Sequence, residues 1–452
     1  MNSTWLLSGL LALSISTTQG ATTSNKTWPD FRGPFGSGHA DAPDVAEQRG
    51  LPIHWSDSKN VAWKTRIPLT GLSSPIVHEG KVWLTSATED GHDYYVICVD
   101  AKTGEILANK KLFHWDEPLS LGNGRGNNCY ATPSAVVEDQ RVYLHFGSSG
   151  TACLDTETFA VLWSRKDIPC WHYRGASSSP VLFKDSLILT MDGADLQYHI
   201  ALDKKTGATI WKTDRSVEWN DEHVDRPMVR EGDWRKAHST PIITKHAGQD
   251  RMYSVGAKAI YGYDPNDGKE LWRAQFHNWS AAPRPVLHDD RIMFVTGFSR
   301  AELCSVQLGG QGDITDTHYR WRVKNPIPRY ASPIVVDGLL YLAAEESFLS
   351  CVDPATGEAI WTERVGGKYR ASPIYADKKL YFFSTNGTAT IINPGRTFEK
   401  IASNTLSGEA EDSESRRPSG FVASPAVSGR ALFLRTRDFL YRIEELSQLS
   451  NE

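Results

Sequence analysis

The feature that most constrains this chain is a segment written eight times. A Pro behind a small or polar residue opens a short apolar run at Ser74-Pro75, Thr132-Pro133, Ser179-Pro180 and Thr240-Pro241, and again at Arg284-Pro285, Ser332-Pro333, Ser372-Pro373 and Ser424-Pro425. Most copies later reach an Asp that opens a turn, and several reach a Trp eight residues after that Asp. Asp203 to Gly207 leads to Trp211, Asp264 to Gly268 to Trp272, and Asp353 to Gly357 to Trp361. Self-similarity at this period specifies a repeat architecture, in which each copy buries its faces against its neighbours.

The copy from Ala331 to Arg364 gives the unit. Ser332 to Val336 is β-branched and apolar, Asp337-Gly338 is a tight-turn signal, and Leu339 to Ala343, Phe348 to Val352 and Ala359 to Glu363 follow as further strands. Four short antiparallel strands make one propeller blade. The Asp accepts hydrogen bonds from turn amides, the Gly takes a positive φ, and the Trp offers a flat surface for packing between blades. These repeat residues therefore read as structural. The prediction is all-β: an eight-bladed β-propeller of four-stranded antiparallel blades.

The last copy, Ala423 to Glu444, runs out after three strands. A fourth stands at the other end of the sequence: Val61 to Thr65 carries Trp63 twelve residues ahead of Pro75, as Trp361 stands ahead of Pro373. The N-terminal strand is expected to complete the last blade and leave no open sheet edge. The domain reading is a signal peptide over 1–20, an N-terminal extension over 21–60, the propeller over 61–444 and a tail over 445–452.

The apolar run Trp5 to Ile15 is too short to span a bilayer, and small residues precede Ala21, so it reads as a secretory signal and the protein as exported, periplasmic or secreted. A net charge of -5 gives no general attraction for nucleic acid or a membrane surface. Export permits disulfides. Of six Cys, Cys98, Cys153 and Cys351 occupy one place in three repeats, and Cys304 lies in the corresponding strand of the fifth. That leaves Cys129 and Cys170, which precede the first strands of neighbouring blades and are the expected pair.

The pattern SPIV…LYL…CVDPATGEAIW resembles the pyrroloquinoline-quinone (PQQ)-type β-propeller repeat over nearly the whole mature chain. The strings WPDFRGPFGSG, VYLHFGSSGTACLD, RGASSSP and LYFFSTNGTATII are similar to an exported PQQ-like propeller group common in planctomycetes. The resemblance implies two kinds of relative: quinoprotein alcohol dehydrogenases, which carry PQQ and a metal ion such as Ca²⁺, and a cofactor-free propeller lipoprotein of outer-membrane β-barrel assembly. The dehydrogenases typically cover PQQ with a disulfide between adjacent cysteines, and this sequence has no Cys-Cys pair.

Function is expected on one face. Loops from a fourth strand to the next first strand vary most in length, and long loops on a rigid scaffold are where binding resides. Just before their first strands the copies supply His172 and Arg174, Lys236 and His238, Arg284, Arg329 with Tyr330, and Tyr369 with Arg370. Recurrence at one register points Arg174, Lys236, His238, Arg284, Arg329, Tyr330, Tyr369 and Arg370 at a common axis, as an anion pocket. The other loops of that face supply Asp192, Asp195, Gln197, Glu302, Glu345 and Glu346, which would hold a hard cation or pair with the arginines. His223, among acidic neighbours, is a weaker metal candidate. Two functions follow: a binding or scaffold module for a partner protein, an anionic small molecule or a glycan, and a quinoprotein-like oxidoreductase with PQQ and a metal.

Overall fold

Eight sheets of four antiparallel strands each form the propeller, one of them carrying a short fifth strand in parallel. The computed structural model describes residues 27–42, 45, 47–122, 128–218, 232–324, 326–407 and 420–446. Blade 6 is typical, with strands Ile334–Val336, Leu339–Ala343, Phe348–Val352 and Ala359–Arg364. Its middle strands are almost wholly buried, because adjacent blades cover both faces, whereas its outer strand is largely exposed. Blade 8 is built from Ala426–Ser428, Ala431–Arg435 and Phe439–Glu444, and Val61–Arg66 closes it as the outer strand. Thr65 stands opposite Leu440 and Lys64 opposite Tyr441 in that pairing.

The repeated Asp, Gly and Trp join one blade to the next. The Trp63 indole N–H donates to the Ala101 carbonyl at 3.2 Å, Trp163 to Lys204 at 3.1 Å, Trp321 to Pro354 at 3.1 Å and Trp361 to Gly395 at 3.0 Å. Each bond reaches the Asp-led turn, or its equivalent, in the following blade. Asp203 Oδ1 holds that turn by accepting from the amides of Lys205 and Thr206 at 3.0 and 2.7 Å. Gly207 sits at φ 74°, and a Cβ there would lie 2.7 Å from the Trp163 ring, so this turn demands glycine for conformation and for space. A Gly207→Ala variant is expected to lose at least about 1–2 kcal/mol from the backbone term alone. Urea unfolding checks it; an unchanged midpoint would show that the turn does not dock as described.

Two copies shift the expected register. Val136 opens the first strand of blade 2 opposite Tyr143, as Ile76 stands opposite Trp83 in blade 1. The equivalent of Ser74-Pro75 is therefore Ser134-Ala135, two residues after Thr132-Pro133. In blade 5 an insertion delays Trp321; it adds a short strand, Gly312–Asp313, beside Trp272 and Arg273 of blade 4.

The segment ahead of the closing strand does not merely precede the propeller. Trp28 pairs with Val77 on the innermost strand of blade 1, and His39 with Tyr375 on that of blade 7. The Val137 amide donates to the Pro29 carbonyl at 2.9 Å. Arg32 donates to the carbonyls of Pro373 and Pro333 at 3.4 and 3.0 Å, and Arg284 to that of Phe31 at 2.8 Å. Residues 28–40 thus run along the first strands of blades 1, 2, 6 and 7 and past Arg284 of blade 5, with Trp28 only 1% exposed. The string WPDFRGPFGSG is the plug, and its glycines allow the crossing: a Cβ on Gly38, at φ 91°, would lie 2.6 Å from Arg32. The chain then passes Asp377, which accepts from the amides of Arg49 and Leu51, and Asn404, which bonds Trp55, before entering blade 8.

Candidate functional site

The residue before each first strand builds a ring of hydroxyls round the channel. The Ser74 amide donates to Ser134 Oγ at 2.9 Å, Ser134 to Ser179 at 3.0 Å and Ser179 to Thr240 Oγ1 at 3.0 Å. Arg284 takes the next place and donates to Ser332 at 2.9 Å; Ser332, Ser372 and Ser424 continue the ring back to Ser74. A Pro follows six of these seven hydroxyl residues. It holds the preceding residue extended and removes an amide from a strand edge that faces the channel. The hydroxyls accept one amide each, and among the described residues none donates its own O–H.

This crown lines a cavity of about 360 Å³ at one mouth, with Phe31 of the plug also in its lining. Its wall includes Arg174, Lys236, His238, Arg329, Tyr330 and Arg370, so six of the eight expected site residues meet there. Trp279 and Phe298 add apolar surface. Arg174 lies at φ 77° and reaches Asp233 at 3.3 Å, while the buried Lys236 ammonium contacts the same carboxylate and Ser280 Oγ at 2.8 Å. Arg329 meets Glu345 at 3.4 Å and Glu346 at 3.5 Å, and Arg370 lies over the Tyr330 ring at 4.8 Å.

Three expectations need correction. Arg284 is buried and lies outside this lining: its guanidinium donates to the Pro241 carbonyl at 2.9 and 3.1 Å and to the plug at Phe31. Tyr369 packs edge-on against Phe382 with its hydroxyl 3.5 Å from Thr390, because its ring is turned into the blade 7 core. His238 lines the cavity but is no cation at neutral pH: burial, with Lys236 and His172 nearby, pushes its pKa down to about 3.

The acidic loop residues divide. Glu345 and Glu346 pair with Arg329 at the mouth, but Asp192 is buried against Arg215 at 2.6 and 2.7 Å. Asp195 instead accepts the Trp171 amide at 2.6 Å. Beneath the crown, burial pushes Asp30 up to about 6 despite the Arg284 charge, and lowers Arg32 to about 9. Arg435, also buried, donates to the Ser73 carbonyl and Oγ at 3.1 and 2.6 Å. The described residues thus place Arg174, Lys236, Arg329, Arg370, Arg32, Arg284 and Arg435 about this site, against Asp233, Glu345, Glu346 and Asp30.

The expected Cys129–Cys170 bridge is not formed, and all six cysteines are free thiols. The Cys129 thiol lies 3.4 Å from Thr132 Oγ1, whereas Cys170 is turned into the Gly193–Leu196 hairpin, 3.6 Å from the Leu196 carbonyl. His223 and residues 1–20 lie outside the described residues. Among the described residues no three His, Cys, Asp or Glu side chains form a cation site, and no helix is long and apolar enough to cross a membrane.

Sequence reasoning missed Asp233, Phe31 and the crown. The crown's signal was present in the recurring Ser or Thr, but it read as a strand opening. Phe31 lies ahead of the repeats, and nothing in its neighbours indicates that it reaches the cavity. Asp233 stands in the non-repeating sequence between Trp211 and Pro241, so no repeat sets its register.

A family model described as outer membrane protein assembly factor BamB matches residues 11–169 and 197–448. The chain belongs to this family of PQQ-type β-propellers. A BamB of Alkalilimnicola ehrlichii is 25% identical over 224 residues, covering 49% of this chain and 51% of that protein. Quinohemoprotein alcohol dehydrogenase ADH IIB of Pseudomonas putida is 26% identical over 178 residues, 37% of this chain and 24% of the relative. The chain spans about half the length of the BamB relatives it matches, and less of the dehydrogenase. Among solved structures, quinohemoprotein alcohol dehydrogenase from Comamonas testosteroni superposes with a TM-score of 0.63 at 13% identity, over 94% of this chain and 82% of that one. BamB from Moraxella catarrhalis gives 0.50 at 15% identity, over 71% and 83%. At these identities the likeness to solved structures is one of fold.

Proposed function

We propose that this chain is an exported binding module whose funnel engages an acidic ligand, a carboxylate carried by a partner protein or by a small molecule. The observation that carries the reading is the cavity wall, which gathers Arg174, Lys236, Arg329 and Arg370; Asp233 in the lining is shared by Arg174 and Lys236, and Arg329 also meets Glu345 and Glu346 outside it. A guanidinium in a partly enclosed site binds carboxylates by charge-assisted hydrogen bonds. The family's description as an assembly factor supports a binding role. The apolar run Trp5 to Ile15, with relatives named for the outer membrane, supports export.

The oxidoreductase alternative rests on relatives named as alcohol dehydrogenases. Their resemblance implies PQQ beside a metal ion, and the donors here do not fit that pair. The one carboxylate in the cavity lining is already held by Arg174 and Lys236, and no cation-binding set stands beside it among the described residues.

Succinate titrated by calorimetry is expected to bind the parent protein. An Arg329→Ala/Arg370→Ala variant should bind about a hundredfold more weakly or worse, since each charge-assisted contact contributes about 1.5–3 kcal/mol. Equal binding by parent and variant would remove the funnel as the site. Dye-linked alcohol oxidation on adding PQQ with Ca²⁺ would favour the alternative.

A further inference from the structure

The crown adds a requirement that the wall cations do not. Its hydroxyl side chains are buried, 2–6% exposed, and most of them line the cavity. Each accepts one amide hydrogen bond and keeps an O–H donor and a lone pair for something else. A simple anion uses donors alone. A ligand that uses both halves of each hydroxyl is itself polyhydroxylated. Phe31 offers an apolar surface within the same lining, and Tyr330 and Trp279 offer flat walls nearby. Donor-acceptor groups around an apolar patch match a sugar ring, with its C–H face and its rim of hydroxyls. The wall cations then supply a place for one carboxylate on that ring.

The plug sets a second requirement. Residues 28–40 are bonded to the first strands of blades 1, 2, 6 and 7 and to Arg284 of blade 5, and Phe31 of this segment stands in the cavity lining. A segment held there obstructs a threaded polymer, so the ligand sought is a chain end or a short molecule.

We propose, on the reading of the funnel as an acid-binding site, that its ligand is a sugar acid: a pyranose bearing a carboxylate, free or at the end of an oligosaccharide. The sugar ring lies among the crown hydroxyls against Phe31, and the carboxylate meets Arg329 and Arg370.

The test keeps the protein intact and varies the ligand. Glucuronate, glucose and cyclohexanecarboxylate are titrated by calorimetry into the full chain. Glucuronate should bind at least about tenfold tighter than cyclohexanecarboxylate, which has the ring and the charge without hydroxyls, and about a hundredfold tighter than glucose, which lacks the carboxylate. The Arg329→Ala/Arg370→Ala variant should lower glucuronate affinity about a hundredfold, toward that of glucose. Uronic-acid oligomers of two to six units should bind with one affinity per chain, because only the end enters. Equal binding of glucuronate and cyclohexanecarboxylate would overturn the sugar assignment and leave the acid-binding funnel standing. Failure of every carboxylate, succinate included, would overturn both. Affinity rising steadily with oligomer length would overturn the chain-end geometry.

Discussion

A chain shortened to begin at Ile67 is expected to fail as a soluble monomer. It loses Val61–Arg66, and with it the pairing that covers the Phe439–Glu444 strand. An uncovered strand presents a row of free amides and carbonyls to other chains. The same cut removes Trp28, Leu51 and Trp55, all at least nine-tenths buried, and leaves Arg284 without the Phe31 carbonyl and Asp30. A chain beginning at Leu51 separates the two losses. It keeps Leu51, Trp55 and the closing strand but lacks the plug, and should fold with reduced thermal stability. Size-exclusion chromatography and thermal melting read both. If the Ile67 chain stayed monomeric and melted with the parent, the closing strand would not hold the ring.

The second large effect is expected at Asp192. Its carboxylate receives the Arg215 guanidinium at 2.7 and 2.6 Å, and the two side chains are 1% and 0% exposed. Arg215 also donates to Ser254 Oγ at 2.9 Å and lies over the Tyr261 ring, both in blade 4, so the pair joins blade 3 to its neighbour. Asp192→Ala leaves a guanidinium in the interior without its counter-ion, at a cost of about 3–5 kcal/mol. Replacing both partners, as Asp192→Leu with Arg215→Met, should recover much of that loss, because the penalty comes from the stranded charge. Urea unfolding of the two variants decides it. A single variant within about 0.5 kcal/mol of the parent, the range of an ordinary surface change, would mean that water reaches the site.

The repeat made the fold legible. Asp-led turns, docking Trp residues and short apolar strands recur often enough that the blade count and the closing role of Val61–Arg66 could be read without coordinates. Local chemistry explains why: each turn is held by its own Asp, and each strand must be apolar where two blades press on it. The end of the ring on which the candidate residues gather was legible too, because antiparallel strands fix which loops share an end. Within that face, recurrence at one register brought Arg174, Lys236, His238, Arg329, Tyr330 and Arg370 to one cavity.

Depth and pairing were decided by tertiary structure. Arg284 and Arg329 stand alike before their first strands, yet Arg284 is drawn inward by the plug and Arg329 outward by Glu345 and Glu346. Asp192 looked like a mouth carboxylate until Arg215, after the next docking Trp, met it in the interior. The plug itself has no repeat, and nothing local says that Trp28 lies beside Val77 or Arg32 beside Pro333. The sequence alone determined the ring of blades, because its determinants are local and repeated. Where each charge ends, and that residues 28–40 lie against the inner strands, depended on partners far away in the chain, whose meeting only the closed ring brings about.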